Sequence, residues 1–364
     1  MNGAALAGAP RVPRTEPVGA CPVCGSTAAT PLFAIPDRSC GVPGSFAYRR
    51  CRTCRSAYQD PAVVAEDLPL CYPSAYYTHG DPGAATTAVC PAAAAPTPSA
   101  PAGFKAALRA ATRAAVRGAP AAGALGWLGR ALATAPAVRV RAFGNDLPDA
   151  LLPRSPEPRR ALDIGCGSGD LMASLARAGW APEGVDFDPA AARLARQRTG
   201  LRVQVGDFMT LPLEAGAFAL IVMSHVLEHL HRPHAALARV RDLLAPRGRA
   251  VFIYPNPGAW GARVYGRDWF AWEAPRHLVL PAPPAFARLA RASGFTVRRA
   301  RSRFASMVGV TGWLAASRGY HEGRSHADAP PPNARDRALA RAERALVGVG
   351  FDVGEDVLAV LELA

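Results

Sequence analysis

The sequence lacks the features that would place it in a membrane or outside the cell. Its longest uninterrupted apolar run, residues 217–223, has seven residues, far fewer than the roughly 18 that a membrane-spanning helix needs. Residues 1–10 have neither the basic stretch nor the apolar core of a secretory signal. We therefore predict a cytoplasmic protein without a membrane span. Its eight cysteines should stay reduced there, which favours metal binding over disulfides.

Lysine is nearly absent as well. Only Lys105 among the 42 basic residues is a lysine, and the net charge is +14. Such a charge ordinarily suggests nucleic acid or an anionic surface as partner. No dense basic stripe with interleaved aromatics occurs, however, and the heavy use of Arg, Ala, Gly and Pro is typical of a GC-rich genome. The charge alone therefore identifies no partner, and an RNA or tRNA substrate stays an alternative.

Composition divides the chain into four parts. We predict a disordered leader over 1–20, a cysteine-bearing segment over 21–80, an Ala/Pro-rich linker with helices near 104–117 and 125–134 over 81–154, and a main domain over 155–364. The oligomeric state does not follow from the sequence.

In the main domain, strands and helices alternate at short spacing, which predicts an α/β fold with a doubly wound, mainly parallel, Rossmann-like sheet. The predicted strands are 161–164, 181–186, 203–206, 218–224, 248–254, 295–301 and 356–363. The predicted helices are 169–178, 190–198, 234–244 and 283–293. A short strand is also predicted over 45–50, in the cysteine-bearing segment.

Four cysteines form two C-x-x-C pairs, Cys21 with Cys24 and Cys51 with Cys54, separated by 26 residues. Two such pairs supply four thiolates, which can close a tetrahedron around Zn²⁺. Gly25 suits the tight turn after the first pair. The gap exceeds the roughly 15–20 residues usual in zinc ribbons. The pattern predicts a structural zinc ion without an open coordination position, and four unrelated thiols are the alternative.

A glycine-rich turn follows the first strand of the main domain and opens a helix. Residues 162–170 have the sequence L-D-I-G-C-G-S-G-D, a G-x-G-x-G pattern with Asp163 two positions before the first glycine. A dinucleotide-binding fold would have G-x-G-x-x-G, and a phosphate-binding loop would contain G-K-[ST]. The absence of lysine from this turn favours a ligand that carries no phosphate there.

The next two predicted strands also end in acidic residues. Asp186 lies 23 residues after Asp163, at a strand end where a carboxylate can accept both hydroxyls of a ribose. Asp207 and Phe208, after the third strand, offer an acceptor for an exocyclic amine beside an aromatic ring. A nicotinamide-dependent enzyme also has an acid after its second strand, but the glycine spacing argues against that class.

With these motifs the chain resembles the class I S-adenosylmethionine-dependent methyltransferases over about residues 155–305, with the cofactor motifs in 160–230. The resemblance implies S-adenosylmethionine as cofactor. Asp163, Gly165 and Gly167 would surround its amino-acid part, Asp186 would hold the ribose, and Asp207 with Phe208 would flank the adenine. The full predicted cofactor-binding set is Asp163, Gly165, Cys166, Gly167, Gly169, Asp186, Phe187, Asp207 and Phe208.

The chain is also similar to bacterial methyltransferases that carry an N-terminal zinc-binding segment and act on sugars or secondary metabolites. Residues 70–77 resemble the Tyr-rich stretch after that segment, with Tyr72, Tyr76 and Tyr77, and residues 275–278 are a P-R-H-L segment. The resemblance implies a small-molecule or saccharide acceptor on an insertion at 255–285. Packing between the zinc segment and the core is the alternative role for the tyrosines.

Methyl transfer to a hydroxyl or an acidic C–H needs a base. His225, Glu228 and His229 share one face if their turn is helical, and either imidazole is a candidate base. Their H-x-x-E-H pattern also resembles the E-x-x-E-H metal site of ubiquinone-pathway and small-RNA 2′-O-methyltransferases. Here His225 replaces the first carboxylate, and Mg²⁺ prefers oxygen ligands. A third possibility is structural: Glu228 caps and His229 packs.

His277 is the favoured base. Arg276 beside it is positioned to bind an anionic group of the substrate. An aromatic run precedes them and suits stacking on a sugar or planar acceptor, or packing as a lid: Trp260, Tyr265, Trp269, Phe270 and Trp272. A catalytically inert, cofactor-binding partner subunit is a further function that these motifs allow.

Overall fold

The computed structural model describes residues 11–72, 107–108, 111–112, 115, 123–133, 159–305, 311–312 and 330–364. The predicted linker over 81–103, most of the helix near 104–117, and Tyr76 and Tyr77 lie outside these residues. No helix in the described part of the chain is long and apolar enough to cross a membrane.

The N-terminal part contains five short strands. They are β1 (Thr15–Glu16), β2 (Ala29–Ile35), β3 (Phe46–Cys51), β4 (Ala57–Gln59) and β5 (Ala62–Val63), followed by a 3₁₀ helix over Ala65–Cys71. Helix α1 (Gly123–Ala133) stands between this part and the main sheet along the chain.

The rest is the predicted α/β unit. Its strands are β6 (Arg160–Ile164), β7 (Ala181–Asp186), β8 (Val203–Val205), β9 (Phe218–Ser224), β10 (Leu244–Pro255), β11 (Val279–Leu280), β12 (Phe295–Arg303) and β13 (Asp356–Leu363). Its helices are α2 (Asp170–Arg177), α3 (Pro189–Thr199), α4 (Pro233–Leu243), α5 (Trp260–Tyr265), α6 (Pro283–Ala292) and α7 (Ala334–Gly348). Helix α7, capped by the Asn333 side chain, is one that the sequence did not predict.

Seven strands form the main sheet in the order β12-β13-β10-β9-β6-β7-β8. The strands from β10 to β8 are parallel, and β13 runs antiparallel between β10 and β12. The central strand β9 is buried from Phe218 to Met223, because both faces of the sheet are covered. This doubly wound arrangement confirms the predicted fold class and brings the carboxyl ends of β6, β7, β9 and β10 to one edge.

Residues 11–20 are not a disordered leader, which corrects the expectation for 1–20. Thr15 and Glu16 pair with Val63 and Ala62. The Asp67 carboxylate accepts hydrogen bonds from both Arg11 and Arg14 at 2.9–3.0 Å. These contacts anchor the segment because the carboxylate satisfies several donors at once.

The cysteine-bearing segment and the insertion share a sheet. β11 pairs with β4, with Val279 opposite Tyr58, in a four-stranded sheet of order β11-β4-β3-β2. Tyr48, Trp269 and Trp272 pack in one apolar cluster across this junction. The zinc segment over 21–80 and the insertion over 255–285, which are distant in sequence, therefore pack together in the structure.

Candidate functional site

The four cysteines of the two C-x-x-C pairs converge. The Sγ atoms of Cys21 and Cys54 are 3.6 Å apart, as are those of Cys24 and Cys51, and all four lie within 4.8 Å of one another. A tetrahedron with metal–sulfur bonds of about 2.3 Å has sulfur atoms about 3.8 Å apart. The four thiols therefore fit a zinc ion, which would be held by protein ligands alone.

The two cysteine turns have the same backbone form. Gly25 and Arg55 follow the second cysteine of each pair, have φ values of +75° and +66°, and donate their amides to the carbonyls of Cys21 and Cys51. The Cys21 thiol is the main hydrogen-bond partner of the Cys54 sulfur, and Cys21 and Ser56 together lower the pKa of Cys54. A lowered thiol pKa favours the thiolate that binds metal.

The glycine turn lies where β6 ends. Gly165 has a φ of +71°, and a Cβ atom there would lie 2.3 Å from Cγ2 of Val226, so only glycine fits. The Gly167 amide donates to Oδ2 of Asp186 at 2.8 Å, and the Asp188 amide donates to Oδ1 at 3.0 Å. These bonds fix the predicted ribose-binding carboxylate at the end of β7.

Two other predicted cofactor residues are buried. Asp163 is 3% exposed, and burial, together with the charge of Asp186, raises its pKa to about 8. This raised pKa favours the protonated form of Asp163 near neutral pH. The Cys166 side chain packs with Met172, and its amide donates to the Val185 carbonyl.

The two aromatic residues of the predicted cofactor set differ. Phe187 is 53% exposed next to Asp186, whereas Phe208 is buried in the main core beside the sheet. The flanking of the adenine by Phe208 stays a prediction. Oδ1 of Asp207 accepts the amide of Met209 at 2.9 Å within its own turn.

His225 follows β9, and its half-exposed side chain lies beside two carboxylates. Its Nδ1 lies 3.2 Å from Oε1 of Glu228, and its Nε2 lies 3.9 Å from Oδ2 of Asp356. Burial opposes the charged form, but Asp356 and Glu228 outweigh it and raise the pKa of His225 to about 9. A raised pKa favours the imidazolium, which has no lone pair to accept a proton, and the base role of His225 stays a prediction.

His229 and His277 are neutral. Nδ1 of His229 lies 3.1 Å from the Arg276 carbonyl oxygen, and Nδ1 of His277 lies 2.8 Å from that of Ala271. Carbonyls only accept, so these contacts belong to the tautomer with a proton on Nδ1 and a lone pair on Nε2; the Tyr72 hydroxyl, 2.8 Å from Nδ1 of His229, can accept from that tautomer or donate to the other one. Burial lowers the pKa of both imidazoles to about 3.

Arg276 does not face a substrate, which corrects the expectation of an anion-binding role. It is fully buried, and its two terminal nitrogens donate to Asp37 at 2.9 Å while Nε donates to Glu273 at 3.2 Å. Burial opposes ionisation of Asp37, but Arg276 outweighs that cost and lowers the pKa of the carboxyl group.

Two side chains of the aromatic run lie in the core. Trp269 and Trp272 are each 2% exposed, and Trp272 packs edge-on against Phe33 at 5.0 Å between ring centroids. The hydroxyl oxygen of Tyr48 lies 2.8 Å from the carbonyl oxygens of Trp272 and His277. The two tryptophans therefore join the zinc segment to the main unit and have no face left for stacking on an acceptor.

Sequence reasoning missed the contacts of Tyr72. Its hydroxyl oxygen lies 2.8 Å from Nδ1 of His229, and its ring packs edge-on against Phe187 at 5.2 Å. The Tyr-rich stretch was the available signal, although it did not identify either partner. Tyr72 connects the predicted cofactor end of the sheet to the histidines.

Glu228, His229 and His277 form a second group of potential metal ligands. One donor atom from each lies within 4.8 Å of the others. Glu228 is fully buried, and its Oε2 has no hydrogen-bond partner in the described part of the chain. Two imidazoles and one carboxylate suit a borderline transition metal better than Mg²⁺. His225 is not part of this group.

Comparisons with known proteins agree with the cofactor motifs. A family model described as a methyltransferase domain matches residues 138–300. The demethylmenaquinone methyltransferase of Thermus thermophilus is 32% identical over 192 residues, which cover 44% of this chain and 86% of that protein.

Two further relatives match over shorter stretches. A ubiquinone biosynthesis O-methyltransferase of Cereibacter sphaeroides is 32% identical over 124 residues, 32% of this chain and 50% of that protein. An uncharacterized transposon protein of Streptomyces fradiae is 38% identical over 124 residues, 32% of this chain and 35% of that protein. The chain thus spans half or less of these two relatives. By its fold, its motifs and these matches, the chain belongs to the class I S-adenosylmethionine-dependent methyltransferases.

Proposed function

We propose that the protein methylates a hydroxyl or acidic carbon of a small molecule or saccharide, with His229 as general base. The observation that carries this proposal is the position of a neutral imidazole beside the predicted cofactor end. Tyr72 contacts both Phe187 and His229, and Val226, three residues before His229, touches the glycine turn. Two relatives are named as quinone-pathway methyltransferases, which supports a small cyclic acceptor.

We assign roles within the cofactor site by strand end. Asp186 holds the ribose hydroxyls, Asp163 and the turn with Gly165 and Gly167 hold the amino-acid part, and Asp207 accepts from the adenine amine. The bound S-adenosylmethionine supplies an activated methyl group on its sulfonium. The four cysteines hold a structural zinc that takes no part in bond making.

In the acceptor site, the acceptor proton moves to Nε2 of His229. Tyr72 and the Arg276 carbonyl orient the imidazole through Nδ1. The His225 cation stabilises negative charge that develops on the acceptor oxygen or carbon. The low pKa of His229 makes it a weak base in the empty site, so an acidic acceptor, such as a phenol, suits it best.

A second mechanism rests on the three-donor group. If Glu228, His229 and His277 hold a divalent cation, that ion would supply Lewis-acid activation of the acceptor oxygen. A chelator would then abolish turnover, and added Mn²⁺ or Co²⁺ would restore it. Under the base mechanism, chelation that leaves the zinc site loaded changes nothing.

Single-turnover methylation of a panel of phenols, quinols and sugars tests the function. His229→Asn should lower the rate about 10²–10⁴-fold, because it removes the proton acceptor. His234→Asn, an exposed histidine on α4, is the matched control. A loss below about fivefold would contradict the base role. Methylation of RNA alone, or cofactor binding with no methylation, would instead support the rival functions.

A further inference from the structure

A cleft of about 630 Å³ lies at the edge strand β12. Among the described residues, β12 pairs with β13 alone. The lining, here named the arginine cleft, consists of Arg249, Arg291, Arg298, Arg299 and Arg301, with Ala287, Val297, Ala300 and Val360. Four strand spacings of about 4.8 Å separate β12 from β6, so the cleft lies roughly 19 Å across the sheet from the glycine turn.

Positive charge in the cleft exceeds its compensation. Glu362 binds both Arg249 and Arg298 at 2.7 Å, and Asp352 lies 3.4 Å from Arg301. Within the described part of the chain, Arg291 and Arg299 have no carboxylate within ion-pair distance. Five guanidinium groups therefore share two carboxylates.

Arg299 is held in an unfavourable position. Its Nε is buried and has no hydrogen-bond partner among the described residues. Burial, followed by repulsion from Arg301, lowers the pKa of Arg299. A buried Nε–H without an acceptor is costly, and an anion in the cleft would offset the repulsion that the Arg299 guanidinium meets from Arg301.

We propose that the arginine cleft binds a phosphate-bearing ligand with at least two phosphoryl groups. Guanidinium groups match phosphate oxygens in a bidentate manner. Five guanidinium groups and two carboxylates leave an excess of three positive charges. One phosphate monoester, with at most two negative charges, does not balance that excess, which favours a ligand with two phosphoryl groups. The alanine and valine side chains of the lining suit the carbon part of such a ligand.

Calorimetry with inorganic pyrophosphate on the full chain, loaded with S-adenosylhomocysteine, tests the proposal. We expect one site per chain. Arg299→Met and Arg291→Met should each weaken binding roughly tenfold, because each removes a charge-assisted contact. Arg193→Met, an exposed arginine on α3 outside the cleft, is the matched control and should change the affinity less than about twofold.

Thermal unfolding provides a readout that separates binding from folding. Without pyrophosphate, Arg299→Met should be at least as stable as the parent, because it removes repulsion within the cleft. With pyrophosphate, the parent should gain stability and the variant should gain less. Equal affinity in the double variant Arg291→Met/Arg299→Met, or equal stabilisation by sulfate at the same ionic strength, would overturn the proposal.

ADP and a short oligonucleotide identify the source of the phosphates. Tighter binding of ADP than of pyrophosphate, lost in the double variant, would support a nucleotide-borne diphosphate in the same cleft. Oligonucleotide binding that persists in the double variant while pyrophosphate does not bind would overturn the proposal, because it would show a diffuse basic surface.

Discussion

The carboxyl edge of the sheet has two halves that are built differently. The cofactor half comprises residues 160–206, and the acceptor half comprises residues 225–231 and 266–280. At the cofactor half, the ends of β6 and β7 are fixed by contacts within about twenty residues, such as the bond between Gly167 and Asp186. At the acceptor half, Arg276 is fixed by Asp37, 239 residues away along the chain. The first half therefore follows from a local motif, and the second exists only when two distant segments fold together.

This difference indicates which part of the structure the zinc segment stabilises. Its strands share a sheet with β11, its Tyr48 contacts the backbone around Trp272 and His277, and its Asp37 neutralises Arg276. We infer that the zinc segment mainly supports the acceptor half, where Tyr48 and Asp37 make their contacts, whereas it reaches the cofactor half through the ring of Tyr72 against Phe187.

Removal of the zinc ligands should have the largest effect. Cys54→Ser should lose the single bound zinc and several kcal/mol of stability, because structural zinc contributes free energy of folding directly. Cys40→Ser, which changes a cysteine outside the two C-x-x-C pairs, is the control. Elemental analysis and thermal unfolding check this, and a parent protein without zinc, after expression with zinc available, would contradict it.

Asp186→Asn perturbs the cofactor half only. It should lower the affinity for S-adenosylhomocysteine by about 1.5–3 kcal/mol, because it weakens charge-assisted bonds to the ribose. Asp242→Asn on α4, an exposed carboxylate, is the control. Calorimetry measures both, and an unchanged affinity in Asp186→Asn would remove the ribose role.

The protonation of Asp163 should make cofactor binding depend on pH. Its pKa of about 8 leaves it protonated near neutral pH, and a cofactor ammonium group favours the ionised form. Binding below pH 8 should therefore release up to one proton, and affinity should rise with pH by at most about tenfold per unit. Calorimetry at pH 6.5 in two buffers of different ionisation enthalpy counts the protons. Asp163→Asn should release none, and a parent that releases none would contradict the assignment.

The sequence predicted the cofactor half well because its determinants are close together along the chain. The glycine turn, Asp163 and Asp186 lie at the strand ends where the motif placed them. The burial of Phe208 in the main core was not predicted, because strand-end position does not reveal which face of the sheet a ring occupies. The buried partners of Asp163 set its protonation, which no motif encodes.

For the acceptor half, the sequence predicted which side chains are present but not how they are arranged. The sequence identified His225, His229 and His277, but their protonation depends on Asp356, Glu228 and burial, which only the fold brings together. Arg276 looked available because Asp37 is distant in sequence. The ordering of residues 11–20 likewise depends on Asp67, some fifty positions later.

We infer that the ion pair between Asp37 and Arg276 stabilises the structure of the acceptor half and not that of the cofactor half. Replacing both partners by apolar side chains, Asp37→Leu/Arg276→Met, should restore much of the stability that Asp37→Asn alone loses, because no charge is then left buried and unpaired. This double variant is the control for the measurement that follows.

Hydrogen exchange of Asp37→Asn with S-adenosylhomocysteine bound tests that claim most directly. Breaking a buried ion pair costs about 3–5 kcal/mol, so amides in 266–280 and 225–231 should exchange at least about 100-fold faster than in the parent. Amides in 160–206 should keep the parent rates. Equal acceleration in both halves, or none in 266–280, would contradict the account.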